Sequence, residues 1–432
     1  MSILKNLTFT GSTQIISFLF GVGFSVLVAR LLGPEGQGQF TLWILIPTLL
    51  ARFGHLGFDA SFSYFSTDKR FDHGVIFFIW FLLVALCLCL YSILLMCYHF
   101  NFFDIPAHNL PIFIINTLGI LTALFMSRTL LMSFLVGQNK IKLHSALSLF
   151  ESAAPLIIVL GFMWFLKITA EIVFMAILTT MIVVNLMLFL RSYTGTSLPN
   201  SRLTYIAFQY GIKSWLNNLI NQLIYRSDML MIAYFLGIVE VGLYSVALLL
   251  VEKSWFFTTA ISNALFPIIR GRDDGPKLVA RLVRFSVIFT LLFALFLSLT
   301  AQKLLPFIFG DDFILSVSPL LWLLPGALAL TVPKILVTQF SALDKMKLAI
   351  YSSAPGLVVN IALNLILIPR YGLQGAAIGT SISYIVYGFL NIYFFKKLTK
   401  VNLNELLIFK KQDWIDFIEG VSKILGKFKK TY

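Results

Sequence analysis

Apolar residues fall into long runs separated by short polar breaks. The runs lie near 11–30, 39–60, 75–99, 110–135, 146–166 and 171–190, then 206–236, 242–268, 283–301, 314–341, 349–368 and 373–395. Each is long enough to cross a hydrocarbon layer about 30 Å thick at about 1.5 Å per helical residue. No water reaches the backbone there, so spans of this kind must satisfy their own hydrogen bonds as helices. The pattern predicts an all-α polytopic membrane protein, with about 12 transmembrane helices in two six-helix lobes around a central cavity. The seventh run is unusual, because its first half is too polar to lie against lipid.

The polar stretch 192–204 reads as a linker between an N-terminal lobe, 1–191, and a C-terminal lobe, 205–396. Residues 397–432 form a basic tail. Within it Trp414, Phe417, Ile418, Val421, Ile424, Leu425 and Phe428 recur at helical spacing among Lys423, Lys427, Lys429 and Lys430. That pattern predicts an amphipathic helix lying on the cytosolic leaflet, in contact with membrane lipids.

Composition agrees with the runs. The 432 residues are 59% hydrophobic and 12% charged, and mean hydropathy is +0.90. Twelve spans of roughly 20 residues consume most of that apolar content, which excludes a soluble enzyme, a disordered chain and a single-anchor receptor. Cys87, Cys89 and Cys97 share one apolar run and read as hydrophobes, with no metal site. Residues 11–30 lack a small-residue cleavage site and read as a retained span, not a removable signal.

The net charge of +14 acquires meaning once it is sorted by loop. With a cytosolic N-terminus, the N-terminal segment, the even-numbered loops and the tail hold 23 of the 33 cations. The opposite side holds four, Arg30, Lys167, Lys303 and Arg370. The positive-inside rule therefore puts both termini in the cytosol and requires an even number of spans. The excess records orientation, so no nucleic-acid partner is needed to explain it.

An internal repeat is visible. Leu32-Gly33-Pro34-Glu35-Gly36-Gln37-Gly38-Gln39-Phe40-Thr41 follows the first span, and Leu236-Gly237-Ile238-Val239-Glu240-Val241-Gly242-Leu243-Tyr244-Ser245 follows the seventh. Both carry Leu-Gly, a second glycine five positions on, then an aromatic and a hydroxyl residue. Six intervening spans keep both copies in one orientation, as in transporters built from two parallel bundles. The glycines follow no strand, so they read as a helix-to-helix turn and not as a nucleotide-binding loop.

Ten charged residues stand inside spans or at their edges: Arg52, Asp59, Arg128, Glu151, Lys213, Arg226, Asp228, Glu252, Lys253 and Lys334. A charge at the bilayer centre costs about 2.5–3.5 kcal/mol on insertion scales, so these side chains must face one another or a hydrated interior. On span 2, Thr41, Thr48, Arg52, His55 and Asp59 fall within a sector of about 60° at 100° per residue. On span 7, Ser214, Asn217, Asn218, Asn221, Tyr225 and Asp228 fall within roughly 100° by the same count.

This predicts a substrate path lined by Arg52, Arg128, Lys213, Asn217, Asn221, Arg226, Lys253 and Lys334. Asp59, Asp228, Glu151 and Glu252 are candidates for ion coupling. Asp59 and Glu151 also lie near cytosolic ends where water reaches, and Arg226 with Asp228 could instead form a packing pair. Excess cations suit an anionic substrate, and guanidinium matches phosphate with paired donors. Pro47, Pro155, Pro267, Pro325, Pro333 and Pro355 interrupt spans and read as kinks, some of them candidate hinges. The chain carries no Walker A sequence, no His-Glu-x-x-His and no serine elbow, so it reads as a non-enzyme without a cofactor. Its driving energy would come from Na⁺ or H⁺, from substrate supply, or from another protein.

Several motifs carry a family resemblance. Ala29-Arg30-Leu31-Leu32-Gly33-Pro34 with Gly38, Gly242-Leu243-Tyr244-Ser245-Val246-Ala247, Leu265-Phe266-Pro267 and Pro306-Phe307-Ile308-Phe309-Gly310 occur in order. They are followed by Val359-Asn360, Asn364, Ile368-Pro369-Arg370-Tyr371-Gly372 and Gly375-Ala376-Ala377. Together they resemble polysaccharide flippases of the MATE/oligosaccharidyl-lipid exporter superfamily, of the Wzx type. The resemblance implies transfer of an undecaprenyl-diphosphate-linked oligosaccharide to the outer leaflet of the bacterial cytoplasmic membrane by alternating access. The product would pass to a polysaccharide polymerase and chain-length regulator, as for O-antigen and lipopolysaccharide. Its motif residues Arg30, Gly33, Pro34, Gly38, Gly242, Tyr244, Pro267, Asn360, Asn364, Pro369, Gly372 and Gly375 are expected to shape turns and packing. A Na⁺- or H⁺-coupled multidrug exporter is the alternative within the superfamily, although its cationic cargo suits an acidic interior better. A membrane-embedded glycan polymerase or transferase would need catalytic residues on a large external loop. The loops near 100–109 and 302–313 offer only Asp104, Asp311 and Asp312.

Overall fold

The computed structural model describes residues 2–66, 73–99, 111–198, 201–269, 272, 274–399 and 401–408. The tail stripe from Trp414 to Phe428, the loop near 100–109, the loop cations Lys69, Arg70 and Arg270, and the side chain of Pro267 lie outside the described residues.

The described elements are helical, with no strand among them. They are α1 (Ser2–Gly54), α2 (Phe58–Phe65), α3 (His73–His99), α4 (Ile112–Gly137), α5 (Ile141–Phe162) and α6 (Ala170–Ser192). Then come α7 (Ser201–Phe235), α8 (Ile238–Ser254), α9 (Phe256–Ile269) and α10 (Gly275–Phe309). A 3-10 turn, Asp311–Ser316, precedes α11 (Val317–Ala342), α12 (Met346–Thr399) and α13 (Leu403–Leu407).

Eight helical stretches are long and apolar enough to cross a membrane, including α1 and α12. Those two are each a pair of crossings joined without a loop. Gly33 interrupts α1 with φ 64 and ψ −175, and Gly372 interrupts α12 with φ 57 and ψ −137. Only glycine takes such angles without a Cβ penalty. Pro34, next after the first break, has no N–H to lose at the start of a new helix. Counting both pairs, with α7 and the α8–α9 run, gives the twelve spans of the sequence pattern. The chain is a polytopic membrane protein.

Two spans depart from the simple pattern. Span 2 is not one helix, because α1 stops at Gly54 and α2 starts at Phe58. Leu56 (φ 47) and Gly57 (φ 85) turn left-handed between them, so the single-helix sector drawn through Asp59 does not hold beyond Gly54. Span 8 likewise divides at Trp255 into α8 and α9.

The chain forms two compact units. One is Met1–Val246 with Gln302–Val317, the other Ala247–Ala301 with Ser318–Tyr432. In the first, α7 and the opening of α8 group with α1–α6, so the grouping runs past the polar linker at 192–204. One apolar cluster joins Phe62, Phe77, Leu130, Phe134, Leu135 and Leu188. A second is built round Trp43, whose ring meets Phe174 edge-on at 6.1 Å.

The second unit is cored by Leu265, Val279, Val283, Ile335, Phe340 and Phe395. Within it the two halves of α12 pack through small residues. A Cβ on Gly375 would lie 2.1 Å from the Leu367 carbonyl oxygen. Asn364 donates to Asn360 at 3.1 Å and Asn360 to Thr380 at 3.3 Å, all three fully buried. Close backbone approach with amide bonds across the seam is the standard membrane solution where apolar surface supplies little driving force. The motif residues Asn360, Asn364, Gly372 and Gly375 thus belong to this hairpin, and Pro369 sits three residues before its break.

Candidate functional site

The two repeat loops meet inside the first unit. A Cβ on Gly38 would lie 1.9 Å from the Ile238 carbonyl oxygen, and one on Gly242 would lie 1.8 Å from that of Pro34. Ile238 and Pro34 occupy the same place in the two copies, as do Gly38 and Gly242, so the contact is reciprocal. Gln37 spans the seam, donating to Ser245 at 3.3 Å and to Thr41 at 3.4 Å. Those two hydroxyl residues are themselves repeat equivalents.

Arg30 explains its place in the motif here. Its guanidinium donates to the Ile308 carbonyl at 2.6 Å and to that of Phe307, near the end of α10, where carbonyls lack helical donors. Positive charge at a helix C-terminus is also favourable. The Ser316 hydroxyl bonds the Leu243 carbonyl at 2.8 Å, tying the turn after α10 to the second repeat copy.

Asp228 lies on α7 next to this seam. It is fully buried, and its carboxylate accepts from the Tyr244 hydroxyl at 2.7 Å and from the Met229 N–H at 2.8 Å. The stripe read along α7 therefore does not open as a single hydrated face. Asn217 is buried, Asn218 is exposed, and the Asn221 amide donates to the Asn217 carbonyl at 2.8 Å. Arg226 is half-buried.

At the other end of α1 a polar cluster forms from five helices, α1, α2, α4, α5 and α7. Arg128 on α4 forms an ion pair with one oxygen of Glu151 on α5: its Nε donates to Oε2 at 2.8 Å, and Nη2 lies 2.7 Å from the same oxygen. Arg52 has Asp59 and Arg128 as charged neighbours, and His144 also neighbours Arg128. His55, almost wholly buried, faces Asp59 at 3.4 Å, while its Nε2 has no hydrogen-bond partner. The Trp215 indole on α7 donates to the Arg52 carbonyl at 2.8 Å, an acceptor freed because α1 ends two residues later. Gly57 and Gly211 pack backbone to backbone, and the Ser61 hydroxyl donates to the Ala207 carbonyl at 2.5 Å. Lys213, one turn from Gln209, is exposed.

The remaining path candidates lie in the second unit. The Lys334 ammonium sits 4.5 Å from the centroid of the Trp255 ring, a cation–π geometry. The same indole donates to Ala327 at 2.9 Å. Lys253 is half-buried with Glu252 as its charged neighbour. Among the described residues no group of three His, Cys, Asp or Glu side chains could hold a metal ion.

The sequence singled out Arg52 and Arg128 as path residues and Asp59 and Glu151 as ion-coupling candidates without pairing Arg128 with Glu151, and it missed Gln37, Trp215, Trp255 and His144. Gln37 carried a signal, as the polar residue framed by Gly36 and Gly38 in the first copy. Trp215 lies about 60° outside the polar stripe at 100° per residue, so the stripe did not point to it.

Residues 3–270 match the family described as polysaccharide biosynthesis protein. The chain belongs to that family. Its curated relatives include the probable low-salt glycan biosynthesis flippase Agl15 of Haloferax volcanii, 22% identical over 180 residues. That match covers 40% of this chain, and the chain spans 38% of the relative's length. Solved structures add the fold to the family. The lipid II flippase MurJ, in an inward closed conformation, aligns with a TM-score of 0.69 at 16% identity, covering 96% of each chain. An inward-facing multidrug resistance MATE transporter of the MOP superfamily aligns with a TM-score of 0.69 at 14% identity, covering 91% of this chain and 98% of that one. This member of the polysaccharide biosynthesis family therefore has the fold of MATE and MurJ transporters.

Proposed function

We propose that this chain is a flippase that moves an undecaprenyl-diphosphate-linked oligosaccharide from the cytosolic to the outer leaflet of the bacterial cytoplasmic membrane. Alternating access of the 1–191 and 205–396 lobes would carry the head group, with both termini cytosolic. A polymerase and a chain-length regulator would take the product.

The observation that supports the reading is the cluster of two arginines, Arg52 and Arg128, with the carboxylates Asp59 and Glu151 in the first unit's bundle. Neighbouring guanidiniums repel, and apolar surroundings strengthen that repulsion. Glu151 pairs with Arg128, whereas Asp59 faces both Arg52 and His55. A diphosphate presents oxygens that match the paired donors of both arginines. Lys213 and Arg226 on α7 are the further cations assigned to the path in the first unit, and Lys253 and Lys334 those in the second. Coupling to Na⁺ or H⁺ would use the carboxylates of Asp59, Glu151, Asp228 and Glu252.

The test is export of polysaccharide from cells carrying Arg52, Lys213 and Lys253 all changed to Ala. We expect export to fall at least about tenfold, the loss of one charge-assisted interaction or more, with protein levels unchanged. Export at the unmodified rate would overturn the path assignment.

A further inference from the structure

Next to the arginine cluster, at the same end of the first unit, aromatic rings stand open. Tyr64 on α2 and Tyr210 on α7 stack with centroids 4.5 Å apart and planes 29° from parallel. They remain 50% and 47% exposed. Phe65, buried beneath, meets both rings edge-on, at 4.9 and 5.7 Å, and so fixes their tilt. Tyr205, Gln209 and Lys213 follow one another at four-residue spacing along the same open side of α7, all exposed. The Gln209 amide donates to the Tyr205 hydroxyl at 2.7 Å.

This surface is wrong for acyl chains, because a row of tyrosine, glutamine and lysine would strand donors in hydrocarbon. It is equally unlike an ordinary solvated face, since two large rings stacked in the open lose little area to each other and keep apolar surface in water. A flat aromatic surface edged by hydroxyl, amide and ammonium groups has the chemistry that binds a pyranose. The C–H face of the sugar lies on the ring, and its hydroxyls bond at the rim. Tyr210 precedes Trp215, the donor to the Arg52 carbonyl, by five residues, or about 8 Å along a helix. A sugar joined directly to a diphosphate held by Arg52 and Arg128 would reach that far.

We propose that Tyr64 and Tyr210, rimmed by Tyr205, Gln209 and Lys213, form a carbohydrate-docking platform that reads the first sugars of the lipid-linked glycan. This rests on the flippase reading above, and it assigns sugar recognition to residues separate from the diphosphate-binding arginines.

The experiment measures binding of two probes to the purified full-length protein, undecaprenyl diphosphate and undecaprenyl-diphosphate-N-acetylglucosamine. We expect the sugar-bearing probe to bind more tightly. The double variant Tyr64→Ala, Tyr210→Ala should weaken that probe about tenfold, a stacking-sized loss, and leave the bare diphosphate lipid unchanged. Tyr64→Phe with Tyr210→Phe, which keeps the rings, should retain most of the preference. Equal weakening of both probes by the Ala variant would show a headgroup-level aromatic belt or a packing role and overturn the platform. So would unchanged binding of both. If the unmodified protein binds the sugar probe but not the bare diphosphate lipid, the diphosphate reading fails while the platform stands. If it binds neither, both fail.

Discussion

The two copies of the repeat share a backbone and differ in chemistry. Gly33 and Gly237 both turn with positive φ, and Gly38 and Gly242 each receive the other copy's carbonyl. Around that common frame the side chains diverge. In the first copy Phe24 meets Phe40 edge-on at 6.1 Å. At the equivalent positions of the second copy Asp228 accepts a hydrogen bond from Tyr244. An aromatic pair has become a buried carboxylate–phenol pair at the same place in the fold. Arg30 of the first copy caps α10, whereas its counterpart Tyr234 is exposed. The frame is thus steric and shared, and the polar contacts differ between the copies.

The largest effect should come from the shared frame. Gly38→Ala or Gly242→Ala would drive a methyl into a backbone carbonyl, which no rotamer can relieve. We expect destabilisation of about 3 kcal/mol or more, read as a lowered melting temperature in detergent and lost export. Gly21→Ala is the contrast, since nothing lies within 4 Å of its Cβ position. There a helical glycine replaced by alanine should gain about 0.5–1 kcal/mol. Equal tolerance at Gly38 and Gly21 would dissolve the reciprocal contact.

Next in size is the pair that distinguishes the copies. Asp228→Ala leaves the buried Tyr244 hydroxyl without this acceptor and should cost about 1–3 kcal/mol. Adding Tyr244→Phe should cost less than the two single changes summed, with a coupling of about 1–3 kcal/mol in a double-mutant cycle. Strict additivity would mean that the bond contributes nothing.

The smallest effect concerns the caps. Arg30→Ala removes two bonds to carbonyls near the α10 terminus. Because the side chain is exposed, we expect only about 1 kcal/mol. Tyr234→Ala should leave thermal stability unchanged, and a loss as large as that of Arg30→Ala would refute the asymmetry between the copies.

Much of this molecule was legible before any coordinates. Hydrophobic run length determined helices and their number, because a membrane leaves the backbone no other solution. The repeat was readable from its two glycines. The charges in spans pointed to a polar interior, since isolated ones cost too much. What the sequence left open depended on contacts between distant segments. Periodicity carried the span-2 stripe straight through to Asp59, but the left-handed turn at Leu56 and Gly57 ended that helix early. That turn is seated where Gly57 meets Gly211, some 150 residues later in the chain.

Likewise, the charge of Asp228 was plain in the sequence, whereas its enclosure by Tyr244 was not. Nor could spacing show that Tyr64 and Tyr210 stack, or that Trp215 completes a carbonyl at the end of α1. The sequence by itself determined the solvent each segment must meet, because hydrophobicity and helix length are local and additive. The tertiary structure decided which polar groups share a site, because close packing and hydrogen-bond partners exist only once remote segments have met.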